Sequence, residues 1–146
     1  MNKRNDAKRV MNGTWGEVWL EGNLISEIFK FQAKDAFTRE NVPMCGSLMD
    51  GKKLTKIERT GSLGMYHVRS RMLRLIGDKI RAGNDPEFTI VAKLDDPDAY
   101  GAERIAFSGV KFDDLTLMDW EAGVLGKLEC PFTFQEYELL DLVPEG

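Results

Sequence analysis

The chain has 146 residues, of which 42% are hydrophobic and 30% are charged, a composition typical of one soluble globular domain spanning residues 1–146. Its formal net charge is −4. No apolar run is long enough to cross a bilayer, and the polar, basic start lacks the apolar stretch of a signal peptide, so we expect no membrane segment and no secretion signal.

The charge is distributed unevenly along the chain. Residues 1–82 hold 16 basic and 9 acidic residues, a net of +7, whereas residues 83–146 hold 4 basic and 15 acidic residues, a net of −11. Two interpretations remain open at this point. The halves could interleave in one fold and mix their charges, or they could form complementary surfaces that attract copies of the same chain.

The first third of the sequence predicts a polar arm followed by two strands. Residues 1–12 are basic and lack a hydrophobic pattern, so we expect a flexible N-terminal arm. Val18 and Leu20 alternate with Trp19, which is typical of a strand, and the chain returns from Leu24 as a second strand. The apolar face of that second strand is predicted to carry Phe29, Phe31 and Ala33.

A long connection is predicted at 43–58. The segment keeps no hydrophobic period, and Pro43, Gly46 and Gly51 interrupt it. Loops of this length within a compact domain are usually functional or disordered, and this one is too apolar to be a solvated linker, so we expect it to pack on something else. The residues predicted to make that contact are Met44, Leu48, Met49, Lys52, Lys53, Leu54, Lys56 and Ile57.

Residues 61–66 read as a strand that leads into an amphipathic helix over 67–83. Gly83 followed by Pro86 is a helix stop signal. The apolar stripe predicted to pack on the protein's own sheet consists of Val68, Met72, Leu75, Ile76 and Ile80. The basic residues predicted to point outward are Arg71, Arg74 and Arg81.

The remainder predicts four strands and a tail. Alternating apolar residues mark strands at 88–94, at 105–107, at Leu115 and Leu117, and at 132–134. The tail at 136–146 keeps apolar residues beyond the last strand, so we expect it to dock on another element. The order of elements predicts a mainly β fold, an antiparallel β-sandwich or barrel with one helix packed against it.

The sequence offers no case for an enzyme. His67 is the only histidine, which leaves no pair for a two-histidine metal site. Cys45 and Cys130 are far apart and form no CxxC pair, so two free thiols are expected. The acidic group at 95–98 lacks EF-hand spacing and fits a solvated turn. We therefore expect no catalytic residues, no cofactor and no metal.

Several segments, taken in order, resemble a known family. GEVWLEG near the start, GSLGMY before the helix, RAGNDPEFTIVAKLDD after it, ERIAFSGVKFD and CPFTFQEYELL resemble the tail tube proteins of contractile phages and phage-derived particles, notably the PBSX-like defective-prophage tube. The resemblance covers residues 13–143. The same fold occurs in the needle-tube proteins of type VI secretion.

The resemblance implies a structural subunit of a virion tail or phage-like particle, assembled in the bacterial host cytoplasm. Its copies would form hexameric rings that stack into a hollow tube for DNA ejection or cell puncture. The partners it implies are other copies of the chain, a tail sheath protein, tail initiator or baseplate proteins, terminator proteins, and DNA that passes through the lumen without specific binding. In such a tube the predicted 43–58 loop would reach a neighbouring subunit.

One alternative from another functional class stays open. A monomeric β-barrel module could bind a small apolar ligand, with the alternating phenylalanines lining a cavity. The long, partly apolar loop favours the tube subunit, because a monomer would gain little from it.

Overall fold

The computed structural model describes residues 7–145, and these residues confirm the mainly β prediction. They form two short 3₁₀ turns, at Ala7–Arg9 and Gly13–Trp15, one helix, and eight strands. The strands are β1 (Gly16–Leu20), β2 (Asn23–Leu24), β3 (Ile28–Val42), β4 (Gly51–Tyr66), β5 (Phe88–Leu94), β6 (Glu103–Phe112), β7 (Lys127–Thr133) and β8 (Glu136–Asp141).

The strands form two antiparallel sheets that share β6. One sheet has the order β2-β1-β5-β6-β8 and the other has the order β6-β7-β4-β3. β6 pairs with β5 from Glu103 to Val110 and with β8 from Arg104 to Ser108, whereas Lys111 and Phe112 pair with β7. Gly109 lies at the change of partner with a φ of 64°, and a Cβ there would lie 2.9 Å from the Gln135 side chain, so the bend requires glycine.

A single hydrophobic core lies between the two sheets. Phe132 on β7 is fully buried near its centre, and its ring lies 5.9 Å from that of Phe31 and 6.1 Å from that of Phe112. The alternation predicted for β1 places Val18 and Leu20 in this core. The other fully buried large side chains are Ile25, Leu63, Met65, Ile90 and Val110.

The predicted loop at 43–58 is wrong over its second half. Residues 51–58 belong to β4, which pairs with β3 from Val42↔Gly51 inward, so the connection is only 43–50. Lys52, Lys53, Leu54, Lys56 and Ile57 therefore lie on a strand. Most of this stretch is exposed on both faces. Its sequence therefore lacks the alternation of apolar and polar residues that identifies a strand with one buried face.

In the C-terminal region one prediction is corrected and another gains a defined partner. Leu115 and Leu117 do not lie on a strand; Asp113 donates its backbone N–H to Pro131 at 2.9 Å, and the chain then leaves the sheet. The tail at 136–146, which is predicted to dock on another element, contains β8 and pairs with β6 through Ile105↔Leu139 and neighbouring positions, while residue 146 lies outside the described part.

The helix is shorter than predicted and covers residues 71–81. The His67 N–H is bonded to the Gly126 carbonyl at 2.8 Å, and residues 67–70 are not helical. Gly83 has a φ of 86° and ends the helix as predicted. Within the described residues no helix has the length and apolar character needed to span a bilayer.

The helix buries only part of the predicted stripe. Met72 and Ile76 are buried and Leu75 is partly buried, but Val68 precedes the helix and Ile80 is 53% exposed, so both assignments are wrong. The segment Leu73–Gly77 is π-helical, and α-helical residues lie on either side of it, at 71–72 and at Asp78–Arg81. A π turn holds more residues than an α turn, which rotates the following positions away from the face that a 3.6-residue period predicts.

The burial of Ile76 and the exposure of Ile80 allow a matched test of which helix face packs on the core. Ile76→Ala should lower the free energy of unfolding by roughly 2–5 kcal/mol because it leaves a cavity in the core. Ile80→Ala removes the same atoms from an exposed position and should change it by less than about 0.5 kcal/mol. Chemical denaturation monitored by circular dichroism would measure both, and equal losses would show that the burial of Ile76 is misassigned.

Arg71 does not point outward as predicted. Its Nη2 lies 3.2 Å from Oε1 of Glu27, whose side chain is buried, and its Nε has no hydrogen-bond partner among residues 7–145. Burial raises the pKa of the Glu27 carboxyl, but a backbone hydrogen bond and the Arg71 guanidinium outweigh burial and leave that pKa below 4.5. The pair therefore stabilises the fold at neutral pH, and this contribution is lost as the pH falls through the lowered pKa.

Residues 7–12 of the predicted flexible arm are attached to the domain. Asn12 donates its backbone N–H to the buried carboxylate of Asp96 at 2.8 Å. Arg9 donates to the Asp98 carbonyl at 3.1 Å, and its guanidinium lies 4.8 Å from the Tyr100 ring centre. The acidic loop after β5 thus holds this segment, while the rest of the predicted arm, 1–6, lies outside the described residues.

Candidate assembly surfaces

The most prominent surface is a two-stranded ribbon that leaves the sandwich. Pairing between β4 and β7 ends at Thr60↔Thr133, whereas pairing between β3 and β4 continues to Val42↔Gly51. We call residues 34–60 the arm. At about 3.3 Å per residue, its strands extend roughly 30 Å from the sandwich.

One face of the arm continues the hydrophobic core outward. The core-facing pairs Phe31↔Leu63 and Ala33↔Gly61 are followed on the same side by Phe37↔Ile57. Beyond a register shift, Leu54 pairs with Arg39. The large apolar side chains of this stripe, Phe37, Ile57 and Leu54, are all exposed to solvent. The arm therefore presents an apolar stripe that its own domain does not cover.

The tip of the arm is the connection 43–50. A tight turn forms there at Gly46, whose φ is 77°, and Ser47 Oγ is hydrogen-bonded to both the N–H and the carbonyl of Met49 at 3.1 Å. The apolar tip residues Met44, Leu48 and Met49 are all exposed. The structure thus brings the eight predicted contact residues together along one ribbon and its tip, rather than in one loop.

Arg59 fixes the base of the arm. Its Nε lies 3.2 Å from Asp35 Oδ1, its Nη1 donates to the Gln135 carbonyl, and its guanidinium lies 5.2 Å from the Tyr137 ring centre. Beyond this anchor the ribbon contacts little else. An isolated two-stranded ribbon is marginally stable in water, so an additional partner would stabilise the arm.

A second exposed surface was missed by the sequence analysis. The connection between β6 and β7 carries apolar side chains that are 61–78% exposed. They are Leu117, Met118, Trp120, Val124 and Leu125, and we call residues 117–125 the apolar segment. The signal was present in the run LTLMDWEAGVL, but alternation at Leu115 and Leu117 was interpreted as a strand.

The outer face of the helix is basic at two of the three predicted positions. Arg74 and Arg81 are exposed, and Arg81 Nη2 pairs with Asp78 at 2.9 Å. This face remains open for a partner.

An open cavity of about 700 Å³ lies between β3 and the sheet formed by β1, β5 and β6. Phe31, Ala92, Ile105 and Phe107 supply apolar lining, while charged side chains such as Glu17 also contribute. Its size falls within the range of small-molecule sites. No cluster of metal-ligating side chains occurs among residues 7–145.

The two free cysteines should differ sharply in reactivity. Cys45 is exposed at the arm tip, whereas burial, followed by the charges of Asp114 and Glu129, raises the pKa of the Cys130 thiol from 9.0 to about 11. At pH 8 the folded protein should therefore alkylate at Cys45 alone, since the shift lowers the thiolate fraction of Cys130 roughly a hundredfold.

Mass spectrometry after iodoacetamide treatment would count the labelled thiols, with Cys45→Ser as the control. Rapid double labelling of the folded protein would contradict the burial of Cys130. Because the unfolded thiol ionises at a lower pH than the folded one, stability should also decline as pH rises from about 9 to 11.

A β-sandwich that exposes large apolar side chains on a protruding arm and on a connecting segment is a protein suited to assembly. The chain matches the family described as "Phage tail tube protein" over residues 3–141. It is 32% identical over 136 residues to phage-like element PBSX protein XkdM of Bacillus subtilis (strain 168), covering 91% of this chain and 92% of that protein.

Solved structures share the fold. One chain of the PVC sheath–tube complex, an extracellular contractile injection system in the extended state, superposes with a TM-score of 0.69 at 10% identity, covering 93% of this chain and 95% of that one. A Bacillus subtilis protein that is 32% identical superposes with a TM-score of 0.51, covering 91% and 97%. The chain belongs to the phage tail tube family, which consists of structural proteins rather than enzymes.

Proposed function

We propose that this chain is a tail tube subunit that self-assembles into stacked hexameric rings enclosing a hollow conduit. The observation that carries the proposal is the arm, which projects roughly 30 Å from the domain and exposes Phe37, Leu54 and Ile57 along one face. Burying such side chains yields roughly 1.5–3 kcal/mol each, which a neighbouring subunit would provide.

The outer edge of β3 supports lateral assembly. Among the described residues, β3 pairs only with β4, so its other edge offers free backbone donors and acceptors along Ile28–Val42. A long unpaired edge invites aggregation unless another strand covers it. In a closed ring, each subunit covers the edge of its neighbour, and a ring is the symmetric solution that leaves no edge free.

We infer the remaining partners from the contexts of the structural neighbours. Chains of this fold occur in the PVC sheath–tube complex, in the anti-feeding prophage baseplate solved with six-fold symmetry, and in its tube-terminating cap. We accordingly propose contacts with sheath, baseplate or initiator, and terminator proteins. The exposed Arg74 and Arg81 would face the sheath or a neighbouring subunit.

The conduit would carry DNA for ejection, or the tube would puncture a target cell. A lumen for DNA should avoid contacts that release counterions, because those contacts make phosphate binding strong. Passage without specific binding is therefore part of the proposal. Subunits would assemble in the host cytoplasm and become part of a virion tail or a phage-like particle.

The test is the oligomeric state of the purified full chain. We expect rings by sedimentation velocity, and stacked tubes in negative stain at high concentration or after addition of a tail initiator. A strict monomer across all concentrations, with assembly partners added, would overturn the proposal.

The cavity beside β3 favours a second candidate function, binding of a small apolar ligand by a monomer. Phe31 and Phe107 line it, as the alternative interpretation of the phenylalanine pattern requires. Binding of an apolar dye such as ANS distinguishes the two candidate functions. A monomer that binds the dye stoichiometrically would support the ligand site. Assembly into tubes without such binding would exclude it.

A further inference from the structure

The arm and the apolar segment lie at opposite ends of the same pair of strands. In the β4–β7 ladder, Thr60 pairs with Thr133 at one end and Tyr66 pairs with Lys127 at the other. The arm leaves from the Thr60 end. The apolar segment returns into β7 at the Tyr66 end, where the Gly126 carbonyl accepts the His67 N–H. About 20 Å of paired strand separates the two ends.

The apolar segment is chemically suited to an apolar and basic partner. Its exposed side chains include Trp120, and no lysine or arginine occurs from 113 to 126, whereas four acids do: Asp113, Asp114, Asp119 and Glu121. Contiguous exposed apolar surface of this kind marks interaction sites rather than ordinary solvated surface.

The arm tip has the matching character. Met44, Leu48 and Met49 are exposed, and after Asp50, the one acid of the tip, Lys52 and Lys53 lie at the start of β4. Methionine side chains are flexible and adapt well to aromatic surfaces such as that of Trp120. A tip cannot meet the segment of its own chain, because the two leave the sandwich at opposite ends.

We propose that the arm tip of one copy docks on the apolar segment of the next copy along the tube. This inference rests on the proposed function and names the surface that receives the arm. The contact joins two different patches at opposite ends of the subunit, so each copy offers one free patch to the next. A heterologous contact between opposite ends of the subunit can repeat along an axis without closing into a ring, which is what stacking into a tube requires.

Native Cys45 at the arm tip makes the contact measurable by disulfide formation. In Val124→Cys, oxidation of assembled protein with copper phenanthroline should link Cys45 of one copy to the introduced thiol of the next. Because each copy then has one reactive thiol at each end, non-reducing gels should show a ladder of dimers, trimers and longer chains. The unmodified protein can form at most Cys45–Cys45 dimers, since Cys130 is buried.

Two control variants define the result. Tyr100→Cys places a thiol at an exposed position outside both surfaces and should give no ladder. Val124→Cys combined with Cys45→Ser should give none either. Leu117→Cys provides a second position in the apolar segment in case Val124→Cys folds poorly. Trp120→Ser should raise the concentration needed for tube formation about tenfold or more, as removal of an aromatic anchor does.

The outcomes separate this inference from the proposed function. If the protein forms tubes but neither Val124→Cys nor Leu117→Cys gives a ladder, the arm docks elsewhere, and the inference fails while the tube subunit stands. If thiols in the segment become protected only after a sheath protein is added, the segment belongs to the sheath contact, and the inference is again overturned. Absence of any assembly would overturn both.

Discussion

Removing the arm is expected to leave a folded subunit that no longer assembles. In this variant Asn-Gly replaces residues 36–58. Asn-Gly forms a two-residue turn between paired strands, and here it joins the pair Asp35↔Arg59. The deleted residues include no member of the buried core, so the sandwich should remain folded, with a β-type circular dichroism spectrum and an unchanged thermal midpoint. Sedimentation velocity and negative-stain imaging should show monomers at concentrations where the full chain is expected to form tubes.

A milder variant tests the same surface without a deletion. Phe37→Ser with Ile57→Ser removes the apolar stripe from one face of the arm but keeps both strands and should weaken assembly strongly. Tyr100→Ser, which removes an exposed aromatic side chain outside the arm, should assemble normally. Normal tubes from the deletion variant would show that the arm is not the connector.

The second large effect is a loss of thermal stability, which we expect when Gly61 is replaced by alanine. A Cβ at this position would lie 2.4 Å from the Gln32 carbonyl oxygen and 2.5 Å from the ring of Phe132, which is fully buried. Neither the paired backbone nor the packed ring can move without disturbing the sheet or the core. Gly61→Ala should therefore cost roughly 3 kcal/mol through overpacking, which corresponds to a decrease in thermal midpoint of about 6–12 °C for a domain of this size.

Gly51 provides the matched control on the same strand. A Cβ there would lie 3.5 Å from the Met44 sulfur, an ordinary contact, and the backbone needs no glycine conformation. Gly51→Ala should therefore leave the midpoint within about 2 °C of the original value. Differential scanning calorimetry, at a concentration that keeps both variants monomeric, would measure the two thermal midpoints. Similar midpoints would show that packing does not require glycine at Gly61.

Sequence patterns predicted the parts of the fold that have one buried and one exposed face. The alternation in β1 and β5 was found because Val18, Leu20, Phe88 and Ile90 all point into the core. The same reasoning failed for residues 51–58, where both faces are exposed and no period of two is required. It also failed at Ile80, because periodicity assumes an α-helix and cannot reveal a π-helical stretch before that residue.

The candidate surfaces were predicted less completely than the core. The eight arm residues were identified because apolar residues in a loop are unusual, yet their arrangement as a ribbon depended on pairing with β3, which is a long-range contact. Arg71 was assigned to the outer face because nothing near it in sequence indicated that Glu27 would be buried beside it. The apolar segment was missed because its leucines fit a strand pattern.

Within the sandwich, the structure favours the interpretation in which the two halves of the chain interleave and mix their charges. Since β1 pairs with β5 and β4 pairs with β7, the basic and acidic halves of the chain interleave within both sheets. Where the chain leaves the sandwich, the arm (34–60) has six basic and four acidic residues, whereas 113–126 has four acidic residues and no basic one. The long-range charge asymmetry thus has its structural consequence at the two ends of the subunit.

The sharing of β6 between both sheets has a consequence for how the domain unfolds. Neither sheet can lose β6 without opening the other, because β6 is the central strand between β5 and β8 in one sheet and the edge strand that pairs with β7 in the other. The sandwich therefore has no half that can melt independently, and unfolding should be one cooperative transition that tryptophan fluorescence and far-ultraviolet circular dichroism report at the same denaturant concentration. In a tube under mechanical load, such a subunit would resist partial opening until the whole domain gives way.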